Sequence, residues 1–236
     1  MQLNKSMWNK SDTNQFLEYL NTFSKGKEKG EWEKRIVNTT LPCIAMPSTE
    51  VDRIAREIFK GNYLSFLDLW IWENHSCTLI FGKVLSKIKD FDTLIKYLIP
   101  YSEKADNWST IDCLRFNFTK SSTNKFLALS KKLALSKHTF SRRLALIILL
   151  KALSFGDYTS GCFELLNGLK DEKEYYVNMA GTWLLCECVT KYRDKGLEYY
   201  KNNSTNDFVI NKSISKCRDS FRISNNDKEY LKSFKR

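Results

Sequence analysis

The sequence has little of what interrupts regular secondary structure: its 236 residues include nine glycines and three prolines. Few stretches alternate apolar and polar residues for long enough to predict a β-sheet. The apolar residues recur instead with the period of an α-helix. Hydrophobic residues make up 42% of the chain, yet no apolar run approaches the length of a membrane span. We therefore expect an all-α protein that does not cross a membrane.

Groups that bind metals are also few, with two histidines and seven scattered cysteines. Cys186 and Cys188 form the one close pair of cysteines, and on a helix their side chains point in different directions. Cysteines scattered through apolar segments are typical of reduced, mostly buried thiols in the cytoplasm. The residues from Met1 to Lys5 lack the apolar core of a secretory signal. The sequence therefore predicts a cytoplasmic protein without a metal or another cofactor.

Positive charge is in excess, since 38 lysines and arginines stand against 27 aspartates and glutamates, a formal charge of +11. Such an excess favours an anionic partner, with nucleic acid as the first candidate and a membrane surface as the second. A merely basic surface that serves solubility is the alternative. The chain is long enough to bury a sizeable core.

Amphipathic segments follow one another along the whole chain. The first predicted helix is 12–23, with Ser11 or Asp12 as cap, and a short one follows through Trp32 and Ile36. The next is capped by Ser48 and has Val51, Ile54, Ala55 and Ile58 on its buried stripe. The other predicted helices are 63–69, 71–88, 91–101 (ending near Pro100), 108–116, 122–135, 139–153, 157–169, 173–192 and 207–220. The stretch from Lys25 to Gly30 predicts a loop or hinge, and residues 221–236 a frayed tail.

Short helices joined by brief polar turns, in pairs of roughly 35–45 residues, are typical of HEAT-like or armadillo-type repeats. No residue-level repeat is present, so an irregular helical bundle stays open as an alternative. We expect a single HEAT-like repeat domain over residues 1–236, with shorter helices in residues 1–40. Such a solenoid would curve, and a concave basic face would suit an elongated ligand such as a duplex.

The stretch from Asp106 to Asp112 contains the first candidate site. On a helix Trp108 and Asp112 lie one turn apart on the same face. An indole face beside a carboxylate can hold a cationic group, such as a positively charged substrate or transition state. The alternative is a core tryptophan next to a solvated acid.

Two further segments contain candidate site residues. Arg142 and Arg143 begin an otherwise apolar helix, where a guanidinium could clamp a phosphate or could simply extend to solvent. Trp183 follows the small residues Ala180 and Gly181, which permit close helix approach, so this indole could also be a plain core residue.

Three segments together, 107–112, 142–147 and 179–185, resemble in order and spacing the AlkD-like DNA alkylation repair proteins. These are DNA glycosylases built from HEAT-like repeats. The connector and helix at 38–58 is similar to an early helix of the same family. The resemblance covers residues 30–220, and its strength lies in the ordered set of segments rather than in any one motif.

The resemblance implies that Asp112 is the catalytic aspartate, Arg143 its arginine partner, and Trp108 and Trp183 the two tryptophans of the active site. It implies a substrate of double-stranded DNA that carries cationic alkylated purines of the N3-methyladenine or N7-methylguanine type. Hydrolysis of the N-glycosidic bond would pass through an oxocarbenium-like state, which a carboxylate and indole faces can stabilise. No lysine nucleophile is implied, so we expect a monofunctional glycosylase.

The chain departs from the family pattern at several positions. Asn107 and Phe140 stand where an aromatic residue and a tryptophan are common, Cys186 where a basic residue is common, and Lys25 to Gly30 where a firm helix is common. Further DNA contacts are predicted on four basic side chains: Arg142, Lys137, Lys212 and Lys216. We expect a monomer. The alternatives are a non-catalytic module that binds nucleic acid or protein, and a scaffold unconnected with nucleic acid.

Overall fold

The computed structural model describes residues 1–119 and 121–236, and those residues contain fourteen α-helices and no β-strand. The all-α prediction is therefore confirmed. The chain divides into two compact units, Met1–Asn117 and Phe118–Arg236. Over the described ranges, no helix is both long enough and apolar enough to cross a membrane.

The first unit is built around a buried helix, α5. Its helices are α1 (Asp12–Asn21), α2 (Lys27–Val37), α3 (Ser48–Lys60), α4 (Tyr63–Asp68), α5 (His75–Leu85), α6 (Phe91–Lys104) and α7 (Trp108–Asp112). α5 packs against α3, α6 and α7. Three aromatic rings join the N-terminal segment to α1 and α4, with centroids 5.1 to 5.6 Å apart: Trp8, Phe16 and Phe66. The short helix α7, which carries Trp108 and Asp112, thus rests on a helix that is itself held in the core.

The second unit is organised around α11. Its helices are α8 (Thr123–Ala134), α9 (Thr139–Ala152), α10 (Thr159–Asn167), α11 (Tyr175–Lys191), α12 (Arg193–Lys201), α13 (Asp207–Asp219) and α14 (Asn225–Lys232). α11 packs against α9, α10, α12 and α13, while α8 packs mainly on α9. Arg143 on α9, Trp183 on α11 and Lys216 on α13 therefore lie on three helices that share one core.

The apolar periodicity of α3 is confirmed. Its four predicted core residues are at most 2% exposed: Val51, Ile54, Ala55 and Ile58. Their spacing places them on one stripe of a helix, and that stripe faces α5. The predicted cap is wrong, because Pro47 is the N-cap and Ser48 is already the first helical residue.

α5 is shorter than the predicted helix at 71–88. The side chain of Asn74 accepts a hydrogen bond from the backbone N–H of Cys77 at 3.0 Å and so sets the start of the helix. Just before it, Trp70 has a left-handed backbone, with φ 49°, and stacks on Phe81 at 4.7 Å. The periodicity predicts a helical turn at this position, but the chain forms a non-helical turn in which Trp70 packs on Phe81.

α6 does not end near Pro100, as predicted, but continues to Lys104. A proline inside a helix removes one backbone hydrogen bond. The turn that follows is held by tertiary contacts, because the buried hydroxyl of Tyr101 lies 3.0 Å from the carbonyl oxygen of Thr78 and 2.9 Å from that of Thr110. Those contacts offset the bond that Pro100 cannot make.

α7 ends at Asp112, four residues before the predicted end. Beyond it the backbone is held by a neighbouring segment rather than by the next helical turn. The N–H of Arg115 donates to the hydroxyl of Ser86 at 2.9 Å. In a continuing helix this N–H would donate to a backbone carbonyl; here it donates to the Ser86 side chain instead.

The predicted frayed tail at 221–236 is wrong, since it contains α14. The hydroxyl of Ser224 accepts from the N–H of Asp227 at 3.1 Å, which caps the helix, and Leu231 is fully buried. α12 was not predicted either, because its sequence is mostly polar. It is held by the buried side chains of Leu197, Tyr199 and Tyr200.

α2 begins inside the predicted loop. Gly26, with φ 90°, lies just before it, and Gly30 sits within the helix. A Cβ at Gly30 would lie 2.2 Å from the carbonyl oxygen of Cys43, so the connector passes directly over the helix backbone at this point. Trp32 and Ile36, the apolar residues that suggested the helix, are 57% and 51% exposed.

None of the seven cysteines is in a disulfide, and four are buried: Cys77, Cys162, Cys188 and Cys217. The prediction of reduced, mostly buried thiols is confirmed.

Replacing Gly30 by alanine tests the close approach of the connector to α2. Because the added methyl group would overlap the Cys43 carbonyl, we expect Gly30→Ala to lower the unfolding free energy by about 2 kcal/mol. Urea unfolding followed by circular dichroism measures it. The matched control is Gly161→Ala in α10, where the nearest atom to the added Cβ is 3.9 Å away; helix propensity there favours alanine by up to about 1 kcal/mol. Equal effects of the two substitutions would contradict this packing.

His75, the first residue of α5, is a fully buried titratable group. Its Nδ1 lies 3.5 Å from the hydroxyl of Thr78, and its Nε2 has no hydrogen-bond partner within the described residues. Burial lowers the pKa of His75 to about 4, although the negative charge of Asp106 acts in the opposite direction. The folded protein therefore keeps this imidazole neutral at a pH where the unfolded chain takes up a proton.

The lowered pKa of His75 predicts a specific acid sensitivity. Stability from the neutral imidazole is present above the unfolded pKa and is lost as the pH falls toward the folded value. Between about pH 7 and about pH 5 we expect His75 to remove roughly 2 kcal/mol of unfolding free energy. His75→Phe, which cannot be protonated, should lose correspondingly less over this range, whereas His138→Phe should behave like the unmodified protein. The same pH dependence in all three proteins would exclude His75 as the cause.

Candidate active-site residues in the two units

The start of α7 is fixed by the side chain of Asn107, which is fully buried. Its carbonyl oxygen accepts the N–H of Thr110 at 3.0 Å, and its amide nitrogen donates to the Thr110 hydroxyl at 3.0 Å and to Asp106 at 2.8 Å. A helix of five residues has little stability of its own. This cap therefore sets the position from which Trp108 and Asp112 project.

Asp106 ties the same point to the connector after α2. Its carboxylate accepts the N–H of Thr40 at 2.7 Å and the hydroxyls of Thr39 and Thr40 at 2.8 to 2.9 Å. Burial acts to raise the pKa of Asp106, but the hydrogen bonds from Thr40, Asn107 and Thr39 outweigh it, and the pKa lies below its usual value. Asp106 is thus a structural anion whose oxygens are occupied by protein donors.

Two core helices, α5 and α6, are hydrogen-bonded to α7. The hydroxyl of Thr78 on α5 lies 3.1 Å from that of Thr110, and Tyr101 on α6 bridges the backbone carbonyls of the same two residues. A methyl group on Gly82 would lie 2.3 Å from the Tyr101 hydroxyl, so glycine at that position makes room for this bridge. The polar network is buried and rigidly connected on three sides.

Trp108 and Asp112 are the first and last residues of α7, one turn apart as predicted. Both side chains are partly exposed. Neither residue is fully buried, so both have some access to solvent. The arrangement can present an anionic group and an aromatic face to one ligand.

In the second unit, Arg143 is a buried cation. It is 2% exposed, and its Nη1 donates to the backbone carbonyl of Tyr176 at 2.6 Å. The guanidinium carbon lies 5.5 Å from the centroid of the Trp183 ring. A carbonyl dipole and an aromatic face thus compensate part of the cost of burying the charge. The side chain extends into the protein and not to solvent.

Trp183 lies between small neighbours and cations. Ala180 and Gly181 are buried, and a methyl group on Gly181 would lie 2.5 Å from the Leu169 side chain and 3.6 Å from that of Val209 on α13, so little space is left at this position. The indole itself is partly exposed, and the Nζ of Lys216 lies 5.8 Å from its centroid. Two positive side chains, Arg143 and Lys216, therefore face one indole, which makes this surface attractive to an anion.

Arg142 has a different environment from its neighbour. Its guanidinium binds Glu172 through two hydrogen bonds of 2.7 and 3.2 Å and also donates to the carbonyls of Ser136 and Lys137 at 3.0 and 3.2 Å. Burial acts to raise the pKa of Glu172, but Arg142 and nearby backbone donors lower it overall. Arg142 thus joins the turn before α9 to the turn before α11, and a phosphate contact would have to compete with Glu172.

The other predicted DNA contacts are solvent-exposed lysines. Lys137 lies in the turn between α8 and α9, and Lys212 and Lys216 lie one turn apart on α13. Their exposure suits phosphate contacts, and their roles stay predictions. Over residues 1–119 and 121–236 no group of three or more histidine, cysteine, aspartate or glutamate side chains is placed to hold a metal ion.

Sequence reasoning missed the residues that position these side chains. Asn107 departs from the family pattern, but asparagine directly before a helical segment is a preferred N-cap residue, and Asn107 has this role. The carbonyl of Tyr176, which accepts from Arg143, carries no side-chain pattern and could not be found in this way.

A family model described as DNA alkylation repair enzyme matches residues 16–216 of the chain. The matched segment includes every candidate residue described above, from α7 through α13. A search of curated proteins gave no match. Because the family model covers most of the chain, the protein belongs to the DNA alkylation repair enzyme family.

Proposed function

We propose that the protein is a monofunctional DNA glycosylase that removes cationic alkylated purines, of the N3-methyladenine and N7-methylguanine type, from double-stranded DNA. Family membership supports a DNA repair substrate. The observation that carries the proposal is the position of Asp112, a partly exposed residue one turn from Trp108 on a helix fixed by buried hydrogen bonds.

The chemistry needs an anion close to the sugar of the damaged nucleotide. Alkylation at a ring nitrogen makes the base cationic and therefore a good leaving group. As the N-glycosidic bond breaks, positive charge moves to the deoxyribose, which becomes oxocarbenium-like. Asp112 stabilises that charge electrostatically and positions the attacking water, while the face of Trp108 lies against the cation. Water takes the place of the base, so the product is an abasic site.

The second unit contributes binding of the DNA backbone in this proposal. Arg143 and Lys216 both face the Trp183 ring, so this surface favours a phosphate rather than the cationic base. Lys216 is exposed and contacts the phosphate directly, whereas Arg143 supplies positive charge from its fixed, buried position. Lys212 and Lys137 extend the same role along the backbone.

A non-catalytic module that binds nucleic acid or protein is the second candidate. Two departures from the family pattern favour it, since Asn107 serves as a buried cap where an aromatic is common and Phe140 is 9% exposed. The predicted DNA contact Arg142 also favours it, because Glu172 engages its guanidinium. Each of these positions serves the fold of this chain rather than a ligand. This candidate predicts salt-dependent DNA binding without release of a base.

Asp112→Asn tests the proposed catalytic carboxylate. The amide keeps the shape but removes the negative charge, so release of N7-methylguanine from methylated duplex DNA should fall by about 100-fold or more, with little change in DNA affinity. Single-turnover base release measured by chromatography gives the rate. Asp92→Asn, at an exposed position in the first turn of α6, is the matched control and should keep full activity. Absence of release by the unmodified protein under conditions where it binds the duplex would favour the non-catalytic candidate.

Lys216→Gln tests the proposed backbone contact. Loss of one phosphate contact should weaken binding to alkylated and unmodified duplexes alike, and should reduce the slope of log affinity against log salt by about 1. Fluorescence anisotropy over a salt series measures both. The control is Lys201→Gln, whose amine pairs with Glu198 at 2.6 Å, and its slope should stay unchanged. An unchanged slope for Lys216→Gln would remove this residue from the interface.

A further inference from the structure

Four aromatic rings form a continuous chain across the starts of three helices in the second unit. The centroid of the Phe140 ring on α9 lies 5.6 Å from that of Tyr176 on α11. Tyr176 lies 5.4 Å from Tyr175, and Tyr175 lies 6.0 Å from Phe208 on α13. Each of the four is the first or second residue of its helix. These rings therefore make one surface, the aromatic strip.

Exposure to solvent is greatest at Tyr175. This residue is 57% exposed, Phe140 is 9% exposed, and Tyr176 and Phe208 lie between these values. A ring that is more than half open contributes less to the core than a buried one. Exposed aromatic side chains that contact other aromatic rings are typical of surfaces that bind a partner. Tyr175 is therefore the part of the strip that a ligand can reach.

Hydrogen bonds hold the starts of α11 and α13 together. The amide nitrogen of Asn206, the N-cap of α13, donates to the side-chain oxygen of Asn178 on α11 at 2.9 Å and to the carbonyl of Leu169 at 2.6 Å. Asn178 is three residues after Tyr175, and Asn206 is two residues before Phe208. These bonds help to fix the two rings relative to each other, so a ligand meets a surface that needs little ordering.

Exposed cations continue along α13 from the aromatic strip. Lys212 and Lys216 follow Phe208 at intervals of four residues, so the three side chains lie on one side of the helix over about 12 Å. Lys216 also lies 5.8 Å from the centroid of the Trp183 ring. This side of α13 therefore joins the aromatic strip to the cationic surface around Trp183.

Two carboxylates lie next to the strip in the sequence. Asp207 pairs with the guanidinium of Arg236 at 3.3 Å. Glu174, the residue before Tyr175, is exposed. Its negative charge disfavours a phosphate beside Tyr175 and favours phosphate contacts farther along α13. An uncharged planar group can still stack on the tyrosine ring.

We propose that this surface binds unpaired nucleotides of single-stranded DNA, with one base stacked on Tyr175 and neighbouring phosphates on Lys212 and Lys216. An aromatic ring can stack with any base, and lysines compensate the charge of the backbone. In an intact duplex each internal base is already stacked between its neighbours, so its face is not available to Tyr175. The strip therefore favours a duplex with a single-stranded overhang over a blunt duplex.

This inference rests on the proposed binding of DNA by the second unit, and it names the form of DNA that the unit prefers. It is tested with two undamaged DNAs, a blunt duplex and the same duplex with a short overhang of thymidines. Fluorescence anisotropy gives both affinities. A stacked base contributes a factor of about 10, so we expect the overhang to raise the affinity by about 10-fold.

The use of undamaged DNA separates this inference from the proposed enzymatic activity. If the protein were not a glycosylase, it would release no base from methylated DNA but would still prefer the overhang. If the inference were wrong, the two undamaged DNAs would bind equally well, whatever the result with methylated DNA.

Substitutions at Tyr175 test whether stacking causes the preference. Tyr175→Ala should weaken binding of the overhang by about 10-fold and leave the blunt duplex unchanged, whereas Tyr175→Phe keeps the ring and should keep the preference. The matched control is Phe221→Ala, which removes another exposed ring beyond the opposite end of α13 and should bind both DNAs normally. Circular dichroism confirms that each variant is folded. An equal loss of affinity for both DNAs in Tyr175→Ala, or loss of the preference in Tyr175→Phe, would overturn the proposal.

Discussion

The second unit depends on how the charge of Arg143 is buried. An isolated guanidinium in a protein core costs several kcal/mol unless other groups replace its water. Here the carbonyl of Tyr176 and the face of Trp183 do so. Because Tyr176 and Trp183 belong to α11, these two contacts help to hold α9 against α11 in one register. Lys216 of α13 meets the same indole, so the three helices that form this core also present its cations.

In the first unit, mostly neutral groups hold the short helix α7 in place. α7 is too short to be stable alone, and its cap, its underside and the preceding residue are all satisfied inside the protein by Asn107, Tyr101 and Asp106. The one anion of this network, Asp106, accepts hydrogen bonds from Thr39, Thr40 and Asn107. Asp112, at the other end of the helix, is a partly exposed residue.

The sequence was sufficient wherever an element depends on its own periodicity. The stripe of α3 and the bounds of α8 and α9 follow from the spacing of apolar residues, which local burial then satisfies. The sequence was insufficient wherever a contact between residues far apart in the chain determines where a helix begins or ends. α6 continues beyond Pro100 because the Tyr101 hydroxyl bonds to carbonyl groups of α5 and α7. α2 begins inside the predicted loop because Gly30, which has no side chain, lets the Cys43 backbone lie against the helix.

The same distinction applies to the candidate site. The pattern of Trp108 and Asp112 on one helical face could be read directly, because it is local. The sequence could not tell Arg142 from Arg143, since the difference lies in Glu172 and in the Tyr176 carbonyl, each some thirty residues away. The resemblance selected Arg143 by position, and the structure adds the physical contrast between a bidentate salt bridge and a buried cation on an indole.

In the proposed function the protein distinguishes bases by charge, because a carboxylate and an aromatic face assist departure only of a base that is already cationic. The most direct measurement compares single-turnover release from two otherwise identical duplexes, one with a single N7-methylguanine and one with a single uracil as a neutral base. We expect release of the methylated purine and no detectable release of uracil. Release of both at similar rates, or of neither while both duplexes are bound, would contradict it.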